Sequence, residues 1–462
     1  MHQGWKFTVL AALMGCVHVA SVPAALEGTP RARYTVTIFD NFDGARVHAC
    51  FDGFAPSYLA SMDADAARSP TRAWSEHGVL HVHEMRIDLP TSTKGVCVSY
   101  ETRFVDEVFR TRDSRAVVVS QAQWLWRPEP FPSDLDASVS IALSSGARAS
   151  LPWAHDGTVY YLGRGAFYRD AYNVFGVFSE ESFAVAGTSV RVARLGPWPV
   201  YEVTRQWLTR AIGAVASVGH ELPVERLHFV IVPVDGDGMS RPVAFGMVRR
   251  GGGVSVLLIP SSTATVRQLE ADWVTIHELS HLWLPRLHRK DRWLSEGIAT
   301  YLQEVLRARC GLQSAKISWD RIRDGLERGR RSGTGRILTS ESRDMNRTGA
   351  YYRVYWAGTA FALEADLRLR RESAGEMTLL RALELARPRL STLPGVVDAE
   401  EVLAVLDEVS GSDFLVEVAA RYASSARFPT TRPLDDPATK PILREIMKPE
   451  PDRCVLSVES SP

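Results

Sequence analysis

The sequence predicts a multidomain chain: an N-terminal antiparallel β-sandwich, then an α+β domain, then a helical C-terminal subdomain of that second unit. Three observations carry this expectation. Between residues 26 and 195, apolar side chains recur at every second position, the period of half-buried strands. After Gly196-Pro197-Trp198-Pro199 the period lengthens to that of helices, with two short apolar strands among them. The chain has 462 residues, 45% hydrophobic and 23% charged, which is ordinary globular composition and enough for two or three domains.

At the N-terminus, Lys6 precedes a short apolar run, Phe7 to Met14. A bilayer span needs ~20 residues, so this reads as a secretory signal within residues 1–25. Two cleavage readings stand side by side. Ala24-Ala25 can end a conventional signal, or Leu13-Met14-Gly15-Cys16 acts like the lipobox of bacterial lipoproteins, with Cys16 lipidated. Either way the expected location is periplasmic or extracellular, and any membrane contact is through that anchor.

In the β region, Tyr34, Val36 and Ile38 alternate with Thr35 and Thr37, and Val96, Val98 and Tyr100 alternate with Cys97, Ser99 and Glu101. Cys50 and Cys97 both fall there, so in an exported chain they are the natural disulfide pair. That leaves Cys310 with Cys454; buried free thiols are the other reading.

Residues 196–312 read as the α+β unit. Val200 to Val218 is helical, and Phe229 to Val234 and Val254 to Ile259 are strands. Thr263 to Leu284 is one helix ended by Pro285, and Trp293 to Arg309 is another stopped by Gly311. Residues 313–430 supply further helices, including Tyr355 to Arg371, where Trp356, Ala360, Leu363 and Leu367 share a face. The Pro-rich residues 431–462 read as an extended tail. Formal net charge is zero, and the densest basic stretch, Arg328-Gly329-Arg330-Arg331, reads as a solvated loop, so nothing suggests a nucleic-acid partner.

The chemistry concentrates in His277-Glu278-Leu279-Ser280-His281. Residues i and i+4 share a helix face, so two imidazoles at this spacing can hold one zinc ion. Glu278, beside the first ligand, is placed to act as base. Glu296 opens the next helix and can face back as third ligand. Two histidines and one carboxylate leave a fourth position for water, the pattern of a catalytic Zn²⁺ site. His81 and His83 also alternate on one strand and read first as ordinary strand-facing histidines. Gly251-Gly252-Gly253 precedes a strand rather than a helix, so it permits close backbone approach. The expected visitor is a peptide substrate pairing with Gly252, Gly253 and Val254 along an edge strand.

His277 to His281 followed by Trp293-Leu294-Ser295-Glu296-Gly297-Ile298-Ala299-Thr300-Tyr301 resembles the gluzincin metallopeptidases, and among them the aminopeptidase N and glycyl aminopeptidase families. His281-Leu282-Trp283 matches their H-x-W, and Tyr355-Trp356-Ala357-Gly358 resembles their Y-x-K-G. The resemblance implies a thermolysin-like catalytic domain, a peptide or protein substrate, and Tyr355 as donor to the oxyanion. In Phe245-Gly246-Met247-Val248, Val248 stands where aminopeptidase N relatives carry a glutamate that holds the substrate's amine, and Arg249 and Arg250 follow. The expectation is therefore a peptidase that needs no free substrate N-terminus. The rival is a peptide-binding module of the same descent without turnover, and the direction of the Tyr355 hydroxyl separates the two.

Overall fold

The alternation read near the N-terminus becomes real burial: in Arg31–Ile38, Tyr34, Val36 and Ile38 point inward while Thr35 and Thr37 face solvent. The computed structural model of the protein describes residues 29–62, 70–83, 85–91, 95–105, 109–110, 115–196, 201–236, 241–393, 395–430, 434–455 and 458–460. The signal and the Cys16 lipobox lie outside these residues.

The N-terminal region is built from an eight-stranded sheet and two four-stranded sheets. They close on one apolar core that holds Trp124, Trp126, Trp153, Tyr34, Tyr100 and Phe51. Pairing is mainly antiparallel, but Arg31–Ile38 also pairs parallel with Asp136–Ala142. Cys50 lies directly opposite Cys97 in the antiparallel ladder, and the two are joined in a disulfide.

A further six-stranded sheet belongs to the second unit. Its order is Val243–Arg249, Val254–Pro260, Arg226–Ile231, Thr188–Arg194, Ser179–Val185 and Val458–Ser460. This corrects three expectations. The last strands before residue 195 pair with the second unit, so the break between sheet systems precedes Ser179. Alternation alone could not show this, because strands of either unit carry the same period. Val254–Pro260 is hydrogen-bonded on both sides, so it is not an edge; the edge is Val243–Arg249. The tail is not simply extended: it contains the helix Lys440–Ile446, ends in a sheet strand, and is tied by the Cys310–Cys454 disulfide.

The expected helix over 263–284 is divided. Val266–Ala271 ends at Asp272, whose carboxylate accepts from the Val274 amide at 2.8 Å and restarts the chain as Val274–Ser280. A 3₁₀ turn, His281–Trp283, completes it before Pro285. The Glu296 helix runs Arg292–Arg309, with Trp293, Leu294, Ile298, Tyr301, Leu302 and Val305 buried on one side. The basic stretch is no loop: it is the last turn of the helix Ala315–Arg331. Among the described residues, no helix is long and apolar enough to cross a membrane.

Candidate metal centre and cleft

His277 and His281 sit on successive turns of the divided helix. His281 keeps near-helical dihedrals at the junction (φ −58°, ψ −21°), so the one-turn spacing survives the change to a 3₁₀ turn. Each ring is held from behind. His277 Nδ1 lies 2.9 Å from Gln303 Oε1, and His281 Nδ1 lies 3.0 Å from Ser295 Oγ. Because Gln303 Oε1 can only accept, the His277 proton resides on Nδ1 and its Nε2 lone pair faces the cleft; the Ser295 hydroxyl suits the same tautomer at His281.

Glu296 Oε2 stands 3.3 Å from His277 Nε2 and 3.4 Å from His281 Nε2. Tetrahedral ligands at about 2.0–2.1 Å from zinc stand about 3.3 Å apart. The two carboxylate–imidazole spacings match that figure, and all three donor atoms lie within 4.8 Å of one another, a grouping able to hold a zinc ion. Burial disfavours the His277 imidazolium, but Glu296, Glu278 and Gln303 outweigh it and raise its pKa. Glu296 is half-buried, and desolvation alone would raise its carboxyl, yet His281 and His277 hold it far below the usual range. It is an anion at any physiological pH.

Two further groups complete the centre. Glu278 Oε2 accepts from the Val248 amide at 2.9 Å, so the edge strand fixes the carboxylate. Tyr355 stacks on the His277 ring, centroids 5.9 Å apart and planes within 8°, near enough to Glu296 and Glu278 to feel their charges. Burial, then the charges of Glu296 and Glu278, push its pKa far up. The phenol therefore stays protonated and keeps a proton to donate.

The approach of the Tyr355 helix, Tyr351–Glu372, has a simple cause. A Cβ on Gly297 would stand 2.1 Å from the Gly358 carbonyl carbon, and one on Gly358 would stand 1.9 Å from Trp293 O. Two helices cross backbone to backbone at this glycine pair. Tyr355, about one turn before Gly358, is thereby aimed at Glu296, the neighbour of Gly297.

The centre opens into a cleft of about 1700 Å³ lined by both units of the chain and by the helical region. Gly252 and Gly253 do not face it as substrate contacts. A Cβ on Gly252 would meet Ala166 at 2.8 Å and one on Gly253 would meet Pro152 O at 2.2 Å, so the triplet seats the β region on the second unit. Trp153 Nε1 donates to Gly251 O there at 2.7 Å. Val254 lies beyond, in the doubly paired strand. Close backbone approach was read correctly from the glycines, but the visitor is the chain's own N-terminal region.

The arginines after Val248 are also engaged. Arg249 pairs with Asp170, and Arg250 donates to Leu284 O and His281 O, closing the end of the metal helix. Sequence reasoning missed Gln303 and Ser295 as partners of the two imidazoles; Thr300 Oγ1, one turn after Glu296, is buried without a hydrogen bond. The signal was present: Gln303 is two turns beyond Glu296, on the same face. Elsewhere, His81 and His83 stack at 4.1 Å beside Asp88, which is already paired with Arg86. His48 lies near Cys50 and Cys97, whose sulfurs are committed to their disulfide.

No protein-family model matches the sequence, and no curated protein matches it. Solved structures do match. An aminopeptidase N family protein from Idiomarina loihiensis superposes with TM-score 0.68 at 16% identity, over 86% of this chain and 76% of that one. An M1 zinc metallopeptidase from Deinococcus radiodurans gives 0.54 at 15% identity, over 87% and 94%. Yeast LTA4 hydrolase gives 0.51 at 12% identity, over 84% of this chain and 65% of that one. The chain shares the multidomain fold of these proteins, a multi-sheet β region followed by a helical one.

Proposed function

We propose that the protein is a zinc-dependent peptidase, with the metal held by His277, His281 and Glu296. The observation that carries this reading is the convergence of three ligand atoms, a carboxylate and a protonated phenol on one cleft. Its finer fold counterpart is a thermolysin-like catalytic domain, with the edge strand Val243–Arg249 alongside the His277 helix. When bound, zinc supplies a Lewis acid that polarises a carbonyl and lowers the pKa of a water.

The chain's residues do the rest. An extended peptide pairs with the edge strand Val243–Arg249, which presents Phe245 and Met247 to solvent. Glu278, oriented by the Val248 amide, takes the proton of the attacking water and passes it to the departing amine. The Tyr355 hydroxyl donates to the carbonyl oxygen as charge develops on it. That Tyr355 stacks on the His277 ring beside Glu296 favours turnover over the binding-module reading.

The peptidase does not demand a free N-terminus. A buried ammonium needs an anionic partner, and the cleft's other carboxylates are occupied. Asp170 pairs with Arg249, Asp272 caps a helix, and Glu304 is bound by Gln303, Gln313 and Arg307. Acetylated peptides are expected to be cut as well as their free-amine forms. A hundredfold preference for the free amine would defeat this point, though not the peptidase reading. We also place the protein outside the cytosol, as an exported chain; its two disulfides support this. Hydrolysis of a peptide library, abolished by chelation and restored by zinc, tests the function as a whole.

A further inference from the structure

We propose that Arg286, Arg289 and Arg292 form a carboxylate-binding subsite on the wall of the cleft, so that the preferred peptides are acidic ones. This rests on the peptidase reading for its substrate class, but its evidence is separate.

All three arginines line the cleft together with Ser295 and Glu296. Arg292 stands four residues before Glu296 on one helix, hence on the same face, one turn from the metal centre. Arg289 lies in the 3₁₀ turn Arg289–Asp291 that leads into this helix. Among the described residues, none of the three side chains has an ion pair or a hydrogen bond. By contrast Arg249 and Arg250, which line the same cleft, are both fixed by partners. Among the described residues, nearby carboxylates are engaged by other groups: Asp170 by Arg249, Asp291 by Lys290 and Glu304 by Arg307.

The cluster is repulsive as it stands. Arg286 and Arg289 are exposed and Arg292 half-buried; desolvation lowers the Arg286 pKa first, and the charges of Arg169, Arg292 and Arg289 lower it further, with Asp170 opposing them. The whole chain has zero formal net charge, so this excess is local. Like charges gathered on a concave wall focus a positive potential that an anion relieves. Guanidinium forks match a carboxylate in planar, two-point geometry. The acid is either a Glu or Asp side chain or the peptide's terminal carboxylate; the recognising chemistry is shared.

The test is binding, measured by anisotropy of octapeptides with an uncharged dye. The protein is the full chain carrying Glu278→Gln, so that the peptides survive. Matched peptides differ by Glu against Gln at each position, and by a free against an amidated C-terminus. At least one acidic form is expected to bind about tenfold tighter than its neutral twin, an advantage that shrinks in high salt. Which swap carries the effect identifies the source of the acid. Arg286→Gln with Arg292→Gln should erase the advantage while leaving the neutral peptide's affinity and the Tm unchanged. Equal affinity of all acidic and neutral forms overturns the subsite, as does an advantage that survives the double variant. Hydrolysis by the wild type is followed separately: acid-selective binding with no peptide cut would sink catalysis and leave the subsite standing.

Discussion

The two corners of the cleft are held in place by different forces. At the ligand corner, hydrogen bonds orient each group: Gln303 behind His277, Ser295 behind His281 and the Val248 amide on Glu278. At the tyrosine corner, position comes from backbone contact between Gly297 and Gly358, with Tyr355 stacked on the His277 ring. The difference teaches where each corner is fragile. A hydrogen-bonded ligand loses orientation when its partner goes, but the fold stays. A glycine crossing fails as a unit, because one added methyl has no space and a whole helix must move.

The largest expected effect lies at the ligand corner. Glu278→Gln should keep its metal and lose ~10²–10⁴-fold in kcat, the range for a missing general base. Steady-state kinetics beside metal analysis would show it, and near-normal turnover would hand the base to another group. At the tyrosine corner, Tyr355→Phe should lower kcat by ~10²–10³ with KM little changed, as for one lost oxyanion donor. Gly358→Ala should match that loss and lower the Tm as well. A variant with full activity would show that the crossing does not position Tyr355.

Smaller effects sharpen the contrast. Gln303→Leu should weaken zinc binding by ~10–100-fold, the usual scale for a lost ligand-orienting partner, with the Tm of the zinc-loaded protein nearly unchanged. Competition with a chromogenic chelator measures it. Ser295→Ala should do less, because a hydroxyl both donates and accepts and so fixes its histidine less firmly than Gln303 does. If Ser295→Ala proved the worse of the two, the assignment of tautomers would be wrong.

The same division explains what could be read from the sequence. His277 and His281 could be paired from helical spacing alone, Glu296 from its place in the first turn of the next helix, and Tyr355 only from the resemblance of its motif. Gln303 obeys the same periodicity but is a common helix residue, so nothing marked it until its amide was seen against His277. The glycine triplet showed that backbone approaches closely, not whose backbone; only the fold brings Ala166 and Pro152 there. Strand alternation revealed burial but not sheet membership, which is why Ser179–Arg194 was assigned to the wrong unit. The edge of the sheet was hidden for a related reason. Val254–Pro260 is the more apolar strand, and that is what double pairing and burial produce, whereas the true edge at Val243–Arg249 carries exposed side chains. Arg286, Arg289 and Arg292 recur at every third position of one short basic stretch that also holds Lys290, but nothing in that stretch says that it faces a cleft. Only the cleft shows them to be neighbours.

The central claim is that one metal ion sits between His277, His281 and Glu296, and its most direct test is zinc content by atomic absorption. Wild type and Glu278→Gln are expected to hold about one zinc per chain, while His277→Ala, left with two ligands, holds almost none after dialysis. Equal zinc in His277→Ala and wild type would contradict the account.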